Sequence, residues 1–427
     1  MNRFISFMER RFVPIAAKIG AQRHLVAIRD GFVAIMPLVL AGSFAVLLKN
    51  TLFAWIPGLS ALNPICDSVW WGTLAIMTLV VVFGVGYNLA KGYGEDGLAA
   101  GLISVAAYIA TLPQAHGDAG WGYIHWGYLN AMGLFTGLIV ALVATEIFVK
   151  LTKKKVIIKM PDSVPPAVGR AFAAVLPGII VLTIFGIITF LISLAGLGSL
   201  YDMIYNGIQK PLQGFGQGVG SAMVLAMLIN LFWFFGLHGA NILDPVMNSL
   251  YLPALEANAS AVAQGMAAPN AITRVFFDTY VHLGGSGATL GLIIAIFIVV
   301  RKREEYKAVA KLAAPSGIFQ INEPVMFGLP IVHNPILFVP FLITPAVLTL
   351  VAYLATVSGL IPPTYVAIPW ISPPGVGAFL ATGGGVGGVL AAVVALVNLA
   401  LATLIYLPFV AIAERQARKE IEGKIEA

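Results

Sequence analysis

Charge is what this chain has least of. Asp, Glu, Lys and Arg make up 10% of its 427 residues, while 59% are hydrophobic. Soluble globular proteins carry about 25% charge. So little cannot cover a water-facing surface, and the chain reads as an all-α integral membrane protein. Its apolar segments are long and uniform, whereas the strands of a membrane barrel would alternate. Cysteine is almost missing: Cys66, placed in a loop beside Asn63, Pro64 and Asp67, is the single one. No disulfide can therefore form within the chain. A nucleotide-binding loop is missing too. The run Gly383, Gly384, Gly385 lacks the lysine and Ser/Thr of a P-loop. It reads as close helix packing, which argues against ATP hydrolysis. His116 and His125 share a loop without a Cys or carboxylate cluster, so neither a metal nor another cofactor is expected. Residues 1–25 lack the apolar run and cleavage site of a signal peptide.

The cations that remain are bunched. Of 25 Lys and Arg, 21 fall within 3–29, 150–170, 301–311 and 415–424. Each bunch abuts an apolar span, which speaks for the positive-inside rule rather than nucleic acid and places both termini in the cytoplasm. Residues 1–30 read as an amphipathic surface segment, 31–160 as a first membrane half, 161–170 as a Pro-rich cytoplasmic hinge, 171–413 as a second half, and 414–427 as a cytoplasmic tail. Apolar spans lie near 31–50, 70–90, 98–114, 131–150, 171–197, 218–237, 287–300, 336–357 and 378–412. Parity between the basic bunches adds one, giving about ten transmembrane helices with one or two re-entrant hairpins. Trp121, Tyr123, Trp126 and Tyr128 mark an outer loop as an interfacial aromatic belt, or else as a face for sugar.

Two apolar stretches are interrupted by polar groups. Residues 315–335 hold Gln320, Asn322 and Glu323 among four prolines, at 315, 324, 330 and 335, which break a continuous helix. Irregular backbone at membrane depth needs protein or water to satisfy it, and a carboxylate there is a functional candidate. Residues 232–253 hold His238, Asn241, Asp244, Asn248 and Tyr251. Asp244, before Pro245, reads as the cap of a half-helix, and Asp278 lies near a membrane end. His282 and His333 are further candidates. Polar groups on two broken helices are the usual build of a transporter site. A sugar suits it: a carboxylate accepts strong bonds from hydroxyls, and Trp233 and Trp370 offer faces for the rings.

The segments GIFQINEPVMFGLPIVHNP (317–335), WFFGLHGANI (233–242), HLGGSGATLG (282–291), KMPDSVPPAVGRAFAAVLPG (159–178) and PWISPPGVGAFLATGG (369–384) resemble the membrane component, EIIC, of bacterial phosphotransferase systems. The likeness is to the lactose/cellobiose/N,N'-diacetylchitobiose family and covers nearly the whole chain. It implies a homodimer in the bacterial cell membrane, joined through the N-terminal half. The C-terminal half would carry a disaccharide by an elevator motion. It also implies phosphorylation of the sugar's C6 hydroxyl by a cysteine of a separate cytoplasmic IIB protein, itself fed by IIA. By the resemblance Glu323 and His238 flank that hydroxyl and Trp233 and Trp370 line the sugar. Asn322, Asn241 and Asn130 complete the expected substrate-binding set, Asn130 standing where a glycine is usual. The likeness around 238–245 and 370–375 favours cellobiose over diacetylchitobiose. The rival class is a proton- or sodium-coupled symporter, in which Glu323 and His238 would relay protons.

Overall fold

The computed structural model describes residues 10, 14–15, 17–50, 52–56, 58–116, 122–161, 163–329, 331 and 334–425. His333, Trp121 and much of the segment at 1–30 lie outside them. The helix Arg23–Asn50 runs through position 30 into the first span without a break. The described chain is mostly helical, with one two-residue antiparallel pairing of Ala115–His116 and Gly122–Tyr123.

Among the described residues six helices are long and apolar enough to cross a membrane: Arg23–Lys49, Leu59–Gly92, Ala131–Lys153, Pro166–Leu194, Pro335–Val357 and Gly385–Arg415. A seventh passage is the pair Leu200–Gly216 and Val219–Phe234, bent by 80°. Ten were expected; the other apolar helices are too short or too polar to count. Gly97–Ala110 and Thr289–Val299 are apolar but short. The 11 residues of the latter rise about 16 Å against a hydrocarbon core of about 30 Å. Gly239–Ala263 is long enough, but Asn241, Asp244, Asn248, Glu256 and Asn258 dilute its hydropathy. Cys66 is in no loop. It is buried in the helix Asn63–Trp71, because Pro64 falls in the first turn, where its fixed φ favours a helix start.

Two large apolar cores and one small cluster, of Leu283, Ala288, Leu348 and Ala402, are found among the described residues. The first gathers Val85, Tyr108, Leu134 and Phe148, and takes in Val181 and Phe185 of Pro166–Leu194. The second gathers Phe234, Tyr251, Phe277, Ile293, Phe341 and Tyr406. The change of core therefore comes later than the boundary expected at 171. Buried asparagines tie the second core's interrupted helices: Asn230 donates to Phe341 O at 3.0 Å, and Asn398 to Tyr280 O at 2.9 Å and Leu348 O at 3.1 Å. Backbone carbonyls at depth are thereby given protein donors. Leu252, Leu255 and Val275 cross over to pack in the first core, and all three also line the main cavity. That cavity thus lies on the seam between the two cores.

Candidate functional site

Two helix ends that stop inside the protein build the site. Val219–Phe234 ends in a left-handed turn. Gly236, at φ 78°, donates its N–H to Trp233 O at 3.0 Å, and Leu237 donates to Phe232 O at 3.0 Å. This is the Schellman pattern, in which glycine adopts the required φ without penalty. His238 follows and caps Gly239–Ala263, its Nδ1 accepting from Asn241 N at 3.2 Å. A Cβ at Gly239 would lie 1.9 Å from Ile229 O, so only glycine lets the chain fold back here. With Nδ1 accepting, the neutral ring carries its proton on Nε2. That nitrogen faces Glu323 Oε1 at 3.9 Å.

The helix Glu304–Ile318 ends in the same pattern. Gln320 N donates to Gly317 O at 3.0 Å and Ile321 N to Ser316 O at 3.0 Å, with Gln320 itself at φ 66°. Glu323 then opens the short helix Glu323–Gly328. Between them Asn322 is buried and donates from Nδ2 to Ser286 O at 3.0 Å. Its neighbour Gly285 has φ 94°, and a Cβ there would lie 2.7 Å from Asn322 Cβ. The glycine-rich loop after the helix Arg274–Tyr280 is thus shaped to receive the hairpin that carries Glu323.

Both ends open into a cavity of ≈ 510 Å³, within the roughly 300–1,000 Å³ usual for small-molecule sites. Trp370 lines it and is 46% exposed, a free aromatic face. Trp233 also lines it but is 3% exposed, with its ring centroid 4.3 Å from that of His238; it backs the imidazole. Arg274 stands in the wall with two carboxylates around it. Its Nη1 donates to Asp278 Oδ1 at 2.9 Å and Oδ2 at 3.1 Å, its Nε to Asn248 Oδ1 at 3.1 Å, and its Nη2 lies 3.6 Å from Asp244 Oδ1. Asp244 and Asp278 are therefore spent on one guanidinium. Glu323 is not: its side chain is 47% exposed and His238 faces it beyond hydrogen-bonding reach. A hydroxyl oxygen about 2.8 Å from each fits between them. Three buried wall atoms have no partner among the described residues: Trp233 Nε1, His282 Nδ1 and Gln320 Oε1. Among the described residues no group of three or more His, Cys, Asp or Glu is placed to hold a metal ion.

The family profile described as "Phosphotransferase system, EIIC" matches residues 29–345. The chain belongs to the EIIC family of the phosphotransferase system. This EIIC chain is 37% identical to the lichenan permease IIC component of Bacillus subtilis (strain 168), over 98% of itself and 96% of that protein. It is 38% identical to the cellobiose-specific EIIC component of Geobacillus stearothermophilus, again over 98% and 96%. Among solved structures, that of the transporter ChbC, the IIC component of an N,N'-diacetylchitobiose-specific phosphotransferase system, superposes with a TM-score of 0.89 at 37% identity, over 98% of this chain and 99% of that one.

In this EIIC chain Glu323, His238, Asn322, Trp233, Trp370 and Asn241 all line one cavity. Asn130 is not among its lining residues. Its Oδ1 accepts from Met132 N at 2.9 Å and its carbonyl accepts from Thr78 Oγ1; it caps the turn Ala131–Gly133. Asp244 does not cap a half-helix: His238 does, and Asp244 falls in the second turn. Arg274 and Gln320 went unassigned in the sequence. Arg274 and Asp278, four apart in an otherwise apolar run, are spaced as a helical ion pair, and that signal was available.

Proposed function

We propose that this EIIC chain is a permease for a β-linked disaccharide, cellobiose first and diacetylchitobiose next, which it presents for phosphorylation at the C6 hydroxyl. The observation that carries the reading is the gap between Glu323 Oε1 and His238 Nε2, 3.9 Å wide and open to the cavity. A primary alcohol there donates to the carboxylate and accepts from the imidazole N–H. Glu323 takes the proton as the oxygen attacks phosphorus, and positioning supplies much of the rate. The phosphate comes from a cysteine of a cytoplasmic IIB protein, with IIA upstream. Trp370 covers an apolar sugar face, while Asn241 and the hairpin around Asn322 set the ring's orientation.

The seam between the two cores supports an elevator, the C-terminal half sliding on a dimeric N-terminal half. The bent pair, Gly97–Ala110, Gly239–Ala263 and Thr289–Val299 bring the membrane passages to ten, the broken ones forming re-entrant tips at His238 and Glu323. Both termini then face the cytoplasm.

The test loads membrane vesicles with phosphorylated IIB and supplies labelled cellobiose outside. Accumulation of sugar phosphate that depends on IIB and survives an ionophore is expected. Accumulation of unmodified sugar that collapses with the proton or sodium gradient would instead establish the symporter.

A further inference from the structure

We infer that Gln320 is a sugar-binding residue of this site, its Oε1 accepting a hydroxyl of the bound disaccharide while its amide nitrogen holds two walls of the cavity together. The inference rests on the proposed reading of the cavity as a sugar site.

Three observations converge on this side chain. The first is its backbone. Gln320 occupies the left-handed position of a Schellman turn at φ 66°, where glycine is the usual residue and a side chain carries a steric cost. Ending a helix does not require glutamine; it disfavours it. The second is what the nitrogen does. Nε2 donates to Asp278 O at 2.8 Å and to Ser372 O at 3.0 Å. Those carbonyls belong to the end of Arg274–Tyr280 and to the loop bearing Trp370, two residues before Ser372. Carbonyls only accept, so the amide has one orientation here. The third is what remains. Oε1 has no partner among the described residues, and the residue is 5% exposed and lines the cavity. A buried acceptor left unpaired is costly, and a hydroxyl donated from the adjoining cavity would relieve it. Glu323, three residues on, meets one hydroxyl of the sugar; Gln320 is placed for another.

The site so described reads hydroxyl pattern. Sites built to bond a hydroxyl reject analogues that lack it, because their own polar groups are then left unpaired.

Two variants test this. Gln320→Gly keeps the turn's preferred residue, and Gln320→Met keeps the bulk. Each is purified, checked for monodisperse folding, and titrated with the tightest binder among cellobiose, diacetylchitobiose and lactose, then with that sugar's monodeoxy analogues. The parent sugar is expected to bind both variants roughly tenfold more weakly, the scale of one buried hydrogen bond. One deoxy analogue that binds the unaltered protein more weakly than the parent should bind the variants as well as the parent does. Variants that bind the parent with unchanged affinity, or keep the full discrimination among analogues, overturn the inference. If the unaltered protein binds none of these sugars, the proposed function fails, and the hydroxyl contact with it.

Discussion

At the scale of single residues, the cavity assigns different work to carboxylates that look equivalent in the sequence. Asp244 and Asp278 surround Arg274, whereas among the described residues Glu323 faces an imidazole at 3.9 Å. Arg274→Met leaves two buried acids without their cation. It is expected to destabilise the protein by about 3–5 kcal/mol, read as a lower thermal unfolding midpoint in detergent; an unchanged midpoint would show the cluster to be dispensable. Trp370→Ala removes the exposed aromatic face. It should weaken sugar binding roughly tenfold, the scale of about 1.4 kcal/mol of apolar contact, and leave the rate of phosphorylation of bound sugar unchanged. A loss in that rate at saturating sugar would mean Trp370 positions the reacting hydroxyl as well. The polar residues of the two interrupted stretches were legible because ionisable groups are so rare in this chain. Asn130 was not, since an asparagine that caps a turn and one that meets ligand have the same appearance in a sequence. Gln320 was visible as a polar residue, but its left-handed backbone and two carbonyl partners are tertiary facts.

Helix ends rather than helix middles define the site at the scale of elements. Both tips stop in left-handed turns, and the loop 281–288 receives one of them through Gly285. Gly285→Ala would press a methyl group against Asn322 and the carbonyl of Gln320, at 2.7 and 2.8 Å. It should displace the hairpin and cut sugar binding by more than tenfold, beyond the roughly 1 kcal/mol of backbone cost. Gly265→Ala is the control: its φ is 72° but nothing lies within 4 Å, so binding should hold. Equal effects at both positions would contradict close docking of the hairpin. The breaks were legible from proline and polar residues. The span count was harder to read, because Gly239–Ala263 carries polar residues that lower its hydropathy and Thr289–Val299 is short.

For the whole molecule, the clustered cations predict one orientation. Lys155 and Lys302 are exposed at basic turns, and Ser60 is exposed beside the helix Asn63–Trp71. Cysteines introduced at Lys155 and Lys302 should react with an impermeant thiol reagent only from the cytoplasmic face, and one at Ser60 only from outside; buried Cys66 gives little background. Labelling of Lys155→Cys and Ser60→Cys from the same face would contradict the topology. The Pro-rich stretch at 161–170 marked a break in the sequence, but Pro166–Leu194 after it packs in the first core, a packing choice that its uniformly apolar sequence does not announce.

The central claim is that the Glu323 carboxylate receives the proton of a sugar's primary alcohol. Its most direct test is to measure, on one preparation of Glu323→Gln, the equilibrium affinity for the disaccharide and the rate of phosphoryl transfer from phosphorylated IIB at saturating sugar. The amide keeps an acceptor for the hydroxyl but cannot take its proton. Affinity should fall by about tenfold or less, while transfer slows by roughly 10²–10⁴-fold, the usual contribution of a general base. Transfer that proceeds at the unaltered rate once sugar is bound would contradict the account.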